Sequence, residues 1–175
     1  RLYERARRDS RIDPLTQVAT RRIFEESLEA EYERAVRYGH PFSVAIMDVD
    51  AFKEINDASG HLVGDRVLQV LADVLRQEVR MSDVLARYGG DEFVLLMPET
   101  LLRQCAEVLE RIRGEIPPAL KEDGLRVTIS CGAASWSGRK EDSGSDVLRR
   151  ADESLYQAKR DGRNRVVAET GHTAA

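Results

Sequence analysis

The sequence predicts an α+β fold: helices packed on a central, mostly antiparallel sheet of five strands, with a hairpin at its middle. Three observations predict it. Apolar residues recur at helical spacing in several long stretches, other apolar runs are short and continuous, and the order is strand, helix, hairpin, helix, strand.

Residues 1–11 are rich in arginine (Arg1, Arg5, Arg7, Arg8, Arg11), with Leu2, Tyr3 and Ala6 as the apolar points. Residues 1–12 therefore read as the end of a helical linker, too short to claim as a coiled coil. Asp13-Pro14-Leu15-Thr16 breaks that pattern, and Thr20 is a candidate cap for the next helix. In that helix Ile23, Phe24, Leu28, Tyr32, Ala35 and Val36 recur on one side, and Gly39-His40-Pro41 stops it. Residues 42–49 form a continuous apolar run closing on acids, the mark of a buried strand. A short helical turn over 52–55 follows, then an amphipathic helix over 62–79 with Val63, Val67, Val70, Leu71, Val74 and Leu75 on one side. Strands over 84–88 and 93–97 flank Gly89-Gly90-Asp91-Glu92, a tight hairpin tip. A helix over 101–112, a strand over 126–136, a helix over 146–160 and a strand over 165–168 complete the domain, 13–168. Residues 169–175 read as a disordered tail.

The 175 residues suffice for one domain with a sizeable core. Net charge is −4, so no basic face is available to neutralise a nucleic-acid duplex. A small anionic nucleotide remains compatible, because a few placed cations and a metal suffice for it. Cys105 and Cys131 lie in apolar runs and read as buried free thiols of a reducing, cytoplasmic compartment. No apolar run reaches membrane-spanning length, and no signal peptide is visible. The chain begins at Arg1 and not at Met, so the expectation is a fragment of a longer protein, one that an upstream part is able to anchor to a membrane.

Asp48-Val49-Asp50 ends a strand with no polar residue after Ser43. Carboxylates at the rim of a core suit a divalent cation, and Mg²⁺ takes one or two carboxylates plus substrate phosphates. The plainer reading is that these acids terminate the strand and face water. The hairpin tip adds a second acid pair behind two glycines, which permit torsions closed to other residues and a close approach to a ligand. With the hairpin beside the first strand, Asp48 and Asp91 would share metal ions, activate a hydroxyl and stabilise a phosphoryl transition state.

Tyr88-Gly89-Gly90-Asp91-Glu92-Phe93 resembles the signature of the GGDEF family of diguanylate cyclases. Residues 48–57 (DVDAFKEIND) resemble the family's DxDxFKxIND segment, and 60–65 (GHLVGD) its GHxxGD segment. Residues 156–164 (YQAKRDGRN) resemble its closing YxAKxxGRN. The motifs stand in the family's order. The resemblance implies a palm-like, nucleotide-cyclase-like fold. It also implies condensation of two GTP into cyclic di-GMP plus two pyrophosphates, by a homodimer with Mg²⁺ or Mn²⁺, under an upstream sensor of the same chain.

Asp48, the Val49 carbonyl and Asp91 would hold the metal. Asp91 would also take the proton of the 3′-hydroxyl, and Glu92 would join the catalytic set. Asn56 and Asp65 would read the guanine edge, against plainer roles as a turn residue and a first-turn helix acid. Asp65 favours GTP on both sides, since relatives making mixed GMP–AMP dinucleotides differ there. Lys53, Lys159 and Arg163 would hold the triphosphate, against the plainer role of solvated surface cations. Phe52 packs either at the ribose and base or in the core.

Arg80-Met81-Ser82-Asp83 resembles the family's RxxD inhibitory site for the cyclic product, with Arg87 as a further member. The plainer reading is a surface pair worth little. Residues 13–22 (DPLTQVATRR) resemble the opening DxLTGLxNRR, but Gln17 stands where Gly is usual and Thr20 where Asn is usual, so strain is expected in that turn. The rival readings are a receptor that binds cyclic di-GMP or GTP without turnover, a dimerisation platform with a vestigial pocket, and a mononucleotide cyclase.

Overall fold

The computed structural model describes residues 11–121 and 123–170. The expected linker at 1–12 thus falls almost wholly outside the described residues, as does the expected tail from 171 onward. The elements are β1 (Ala19–Thr20), α1 (Arg21–Tyr38), β2 (Phe42–Val49), α2 (Phe52–Ser59), α3 (His61–Glu78), β3 (Val84–Arg87) and β4 (Glu92–Pro98). There follow α4 (Leu102–Lys121), β5 (Ile129–Ser135), α5 (Gly144–Arg160) and β6 (Val166–Ala168). The sheet has six strands in the order β1-β3-β4-β2-β5-β6. Its inner pairings are antiparallel, and both outer pairings, β1 with β3 and β5 with β6, are parallel.

Every residue of β2 is buried, which explains its unbroken apolar run: helices cover both faces of the sheet. On one face α3 (Val67, Leu71, Leu75) and α4 (Leu109, Ile112, Ile116) pack against Ala45, Met47 and Phe93. On the other, α1 (Phe24, Leu28) and α5 (Val147, Ala151, Leu155) pack against Val44, Ile46 and Val94. Strand side chains alternate, so Asp48 continues the face covered by α1 and α5. Gly132 lets α5 lie directly on β5, since a β-carbon there would stand 2.2 Å from the Ala151 carbonyl oxygen and the Leu155 nitrogen. Cys105 and Cys131 are buried and free, and burial pushes the Cys105 thiol up to about 12.

The five-strand expectation misses β1, whose two residues are too few to show alternation; Ala19 and Thr20 pair with Ala86 and Arg87. Thr20 stands at the cap position of α1, but its side chain makes no capping bond. The helix expected to stop at 112 runs on through Pro117 and Pro118. Ile116 and Leu120 are fully buried and continue the four-residue spacing from Ile112, and that burial outweighs the prolines. α5 starts two residues earlier than expected because Ser143 and Asp146 form a reciprocal capping box. The tail does not begin at 169: Glu169 donates its N–H to the Ala133 carbonyl at 2.9 Å and accepts from Ser135 N at 2.7 Å.

The turn that lacks its glycine carries the expected strain. Gln17 has φ 57°, the left-handed region, held by Gln17 N to the Asp13 carbonyl at 2.9 Å and Nε2 to the Pro14 carbonyl at 2.8 Å. That conformation costs a non-glycine residue ~1–2 kcal/mol, and glycine's freedom in the unfolded chain takes back ~0.4–1 kcal/mol. Gln17→Gly should therefore raise stability by about 0.5–1 kcal/mol, a Tm gain of a few degrees in thermal melts. An unchanged Tm would mean that the Nε2 bond already offsets the strain.

Candidate functional site

The end of β2 and the hairpin between β3 and β4 meet edge to edge. Asp48 is the register partner of Glu92, and Val49 N donates to the Asp91 carbonyl at 3.3 Å. Asp48 is buried, and Oδ2 lies 2.8 Å from Nζ of Lys159, in the last turn of α5. Burial pushes the Asp48 carboxyl up to about 6; the Lys159 bond opposes this and the Asp91 charge adds to it. Glu92 is also raised, first by burial, then by the charges of Asp152 and Asp91. Asp48, Asp91 and Glu92 thus share one field, with Asp152 of α5 at its edge. Asp152 escaped the sequence reading because nothing near it in the chain marks it.

The glycines of the tip serve a purpose different from the one expected. Neither Gly89 nor Gly90 takes a left-handed φ. Gly89 makes space: a β-carbon there would stand 2.8 Å from Glu92 Oε2. The Gly90 carbonyl accepts from Arg87 Nη2 at 2.7 Å and from Nε at 3.2 Å. Arg87 also pairs with Asp13 at 3.3 Å, and Asp13 in turn accepts from Thr16 N and Oγ1. Arg87 therefore braces the tip against the Asp13–Thr16 turn and does not line the cavity beside Arg80 and Asp83.

α2 and α3 follow the end of β2 and pack against each other. A β-carbon at Gly64 would stand 1.9 Å from Asn56 Oδ1 and 3.2 Å from the Phe52 ring, so the missing side chain admits both. Asn56 Oδ1 is buried without a hydrogen-bond partner, and Asp65 follows Gly64, half-buried. Leaving such an acceptor unpaired costs ~1–3 kcal/mol. Phe52 packs against the core edge, while Lys53 is exposed. Arg163 is exposed on the turn after α5, with φ 63°.

The second acid of the β2 end is no part of this open cluster. Asp50 accepts from Ser130 Oγ at 2.6 Å, Thr128 Oγ1 at 2.7 Å and Asn164 N at 3.0 Å. Among the described residues, no three His, Cys, Asp or Glu side chains close into a metal cage.

Arg80 and Asp83 form a separate site. Arg80 N donates to Asp83 Oδ2 at 2.8 Å, and Asp83 Oδ1 is buried without a partner. Beside them lies a cavity of about 200 Å³, also lined by Glu78, Gln104 and Arg111. Arg111 is the cation that the sequence reading missed; it pairs with Glu78 across the helices.

The Asp48 carboxyl yields a stability test. Its folded value, about 6, exceeds the ordinary 3.8, so the folded state holds a proton that the unfolded state has released between those values. This contribution is present below 3.8 and lost as pH rises through about 6. Without added divalent ions, Asp48→Asn should melt a few degrees above the parent at neutral pH, with the difference vanishing toward pH 4. A variant that melts lower at neutral pH would show that the Lys159 pair outweighs burial.

Known proteins share the sequence and the fold of this chain. The family described as "Diguanylate cyclase, GGDEF domain" matches residues 10–165. The chain is 42% identical over 166 residues to the diguanylate cyclase DgcP of Pseudomonas aeruginosa, covering 93% of this chain and 24% of DgcP. It is 42% identical over 160 residues to the response regulator PleD of Caulobacter vibrioides, covering 89% of this chain and 35% of PleD. The chain thus spans well under half the length of these relatives. Among solved structures, the coiled coil and GGDEF domain of DgcB from Caulobacter crescentus in complex with c-di-GMP superposes with TM-score 0.85 at 34% identity. That match covers 96% of this chain and 90% of DgcB's. With the signature hairpin seated beside the acids of β2, and with family match, sequence relatives and fold in agreement, the chain belongs to the diguanylate cyclase GGDEF-domain family.

Proposed function

We propose that this domain condenses two GTP into cyclic di-GMP, releasing two pyrophosphates. The observation that carries the reading is the crowding of Asp48, Asp91 and Glu92 at one sheet end, with Lys159 as the cation on Asp48. The donor set fits a divalent ion. Asp48 and Glu92, which burial and neighbouring acids push toward protonation, gain from a cation, and Mg²⁺ needs only one or two carboxylates when phosphates complete its shell. Asp48, the Val49 carbonyl and Asp91 would hold Mg²⁺ or Mn²⁺, with Glu92 adding to the set. The ion supplies charge neutralisation for phosphoryl transfer.

The chain's own residues supply the rest. Asp91 accepts the proton of the attacking 3′-hydroxyl. Lys159, Arg163 and Lys53 hold the triphosphate as charge-assisted donors. Asn56 and Asp65 accept from the guanine edge, and the unpaired buried Asn56 Oδ1 supports this. Phe52 lies beside Asn56 at the Gly64 position and would contact the base or ribose there. Each domain holds one GTP, half of the reaction, so two domains face each other across a two-fold axis. Cyclic di-GMP, the ligand in the DgcB structure, also binds at Arg80 and Asp83 and restrains the enzyme; the unpaired Asp83 Oδ1 and the cationic Arg111 support that. An upstream region of the same protein sets the dimer geometry. Its GTP supply makes the cytoplasm its place of action, and among the described residues no helix is long and apolar enough to cross a membrane.

The test is to strip bound nucleotide, incubate concentrated protein with GTP and Mg²⁺, and identify products by chromatography and mass. Cyclic di-GMP with pyrophosphate is the expected result. Tight cyclic di-GMP binding without turnover, under conditions where the protein is dimeric, would replace the enzyme with a receptor.

A further inference from the structure

Asp50 lies two residues beyond Asp48, yet its side chain has a different set of partners. It is 8% exposed, and its carboxylate accepts three hydrogen bonds: Ser130 Oγ on one oxygen, Thr128 Oγ1 and Asn164 N on the other. Its own N–H donates to the Thr128 carbonyl at 2.9 Å. A carboxylate so fully occupied is poorly placed to hold a metal ion. What it holds is the turn after α5.

That turn is strained. Gly162, Arg163 and Asn164 have φ 110°, 63° and 45°, a left-handed run that includes two residues with side chains. Such a run persists only where its surroundings fix it. Arg163 N donates to the Ala158 carbonyl at 3.0 Å, which closes the end of the helix. Arg113 Nη1 donates to Asn164 Oδ1 at 2.9 Å from the exposed side. The bond from Asn164 N to Asp50 ties the turn to the acidic end of β2, and it is charge-assisted.

We infer that Asp50 is a positioning residue for the nucleotide's phosphates: it locks the 162–164 turn against β2 and so aims Arg163 at the site where Lys159 meets Asp48. The two acids of the β2 end divide the task. Asp48 takes the Lys159 ammonium directly, and Asp50 takes the backbone that carries Arg163. The inference rests on the proposed role of Arg163 as a triphosphate cation.

The test compares Asp50→Ala, Asp50→Asn, Arg163→Ala and the Asp50→Ala/Arg163→Ala double variant in the full domain. KM for GTP, GTP affinity and guanosine affinity are measured for each. Arg163→Ala should raise KM for GTP about tenfold, the worth of one charge-assisted hydrogen bond. Asp50→Ala should do nearly the same, the double variant should add little to either, and guanosine affinity should not change. Asp50→Asn should recover most of the loss, because the Ser130 hydroxyl can turn to accept from the amide while Oδ1 still accepts from Asn164 N. If Asp50→Ala does not fold, the Thr128→Val/Ser130→Ala pair, which frees the carboxylate from its side-chain donors, should raise KM in the same direction and lose that effect in the Arg163→Ala background.

Unchanged GTP affinity in Arg163→Ala would remove that residue from the triphosphate site, and this inference with it. An Arg163 effect, with Asp50→Ala either silent or multiplying it, would overturn the inference alone and leave the proposed function standing.

Discussion

A domain carrying Asp91→Asn should form cyclic di-GMP ~10²–10⁴-fold more slowly than the parent, the usual worth of a positioned base, and should melt no lower. The first half follows from the proposed role of Asp91. The second follows from how the tip is built. The bonds that hold it are made by backbone: Val49 N to the Asp91 carbonyl, and Tyr88 N and Gly89 N to the Glu92 carbonyl. Arg87 likewise grips a carbonyl, that of Gly90. None of these needs the Asp91 carboxylate. Its charge pushes both Asp48 and Glu92 toward protonation, so its loss relieves repulsion. The Asp48 carboxyl should accordingly titrate lower in the variant, as carboxyl-resolved NMR would show. Product formation at the parent rate would take Asp91 out of the chemistry. A large drop in Tm alongside lost activity would make the variant uninformative about catalysis and show that the tip depends on the side chain.

The parts of this architecture that were legible in the sequence share a cause: each leaves a periodic or contiguous mark. β2 is buried on both faces and reads as one apolar run. α1, α3 and α5 bury one face each and show it as spacing. The acids of the site stand at the ends of such elements, and the β2–β4 register puts Asp48 opposite Glu92. What escaped leaves no local mark. β1 is two residues long and pairs with β3, far along the chain. Arg87 is close to Arg80 and Asp83 in sequence, which suggests a shared site. Strand β3 carries it to the opposite end, where Asp13 and the Gly90 carbonyl claim it. Arg111 reaches the Arg80 cavity from α4. The donors that fix Asp50 lie 78, 80 and 114 residues away in sequence, so its role exists only in the folded chain.

The largest loss of stability is expected at Arg150, whose charge network ties the domain's far edge together. Its side chain is 12% exposed and lies between Asp142 and Glu169, at 10% and 7%. Nη1 and Nη2 reach the two Asp142 oxygens at 2.5 and 3.0 Å, Nε reaches Glu169 at 2.6 Å, and Nη2 also donates to the Ser135 carbonyl at 2.8 Å. Arg150→Ala would leave two buried carboxylates without their cation, a loss of ~3–5 kcal/mol, or a Tm lower by about 10 °C. The pH dependence separates charge from packing. Burial pushes the Asp142 carboxyl up, but the Arg150 bond and the Ser137 N–H more than offset this and hold it below 3.8. A lowered carboxyl contributes stability above its ordinary value and loses it as pH falls through the folded one. The deficit of Arg150→Ala should therefore be greatest at neutral pH and shrink as pH falls below 4, where the Asp142 carboxyl protonates. Arg150→Met, which fills the volume without the charge, should show the same slope. A deficit in Arg150→Ala that is constant with pH and absent in Arg150→Met would assign the loss to packing. The network also bears on the site. It fastens the start of α5 to β5 and to Glu169 beyond β6, and the other end of α5 carries Lys159 and the Arg163 turn.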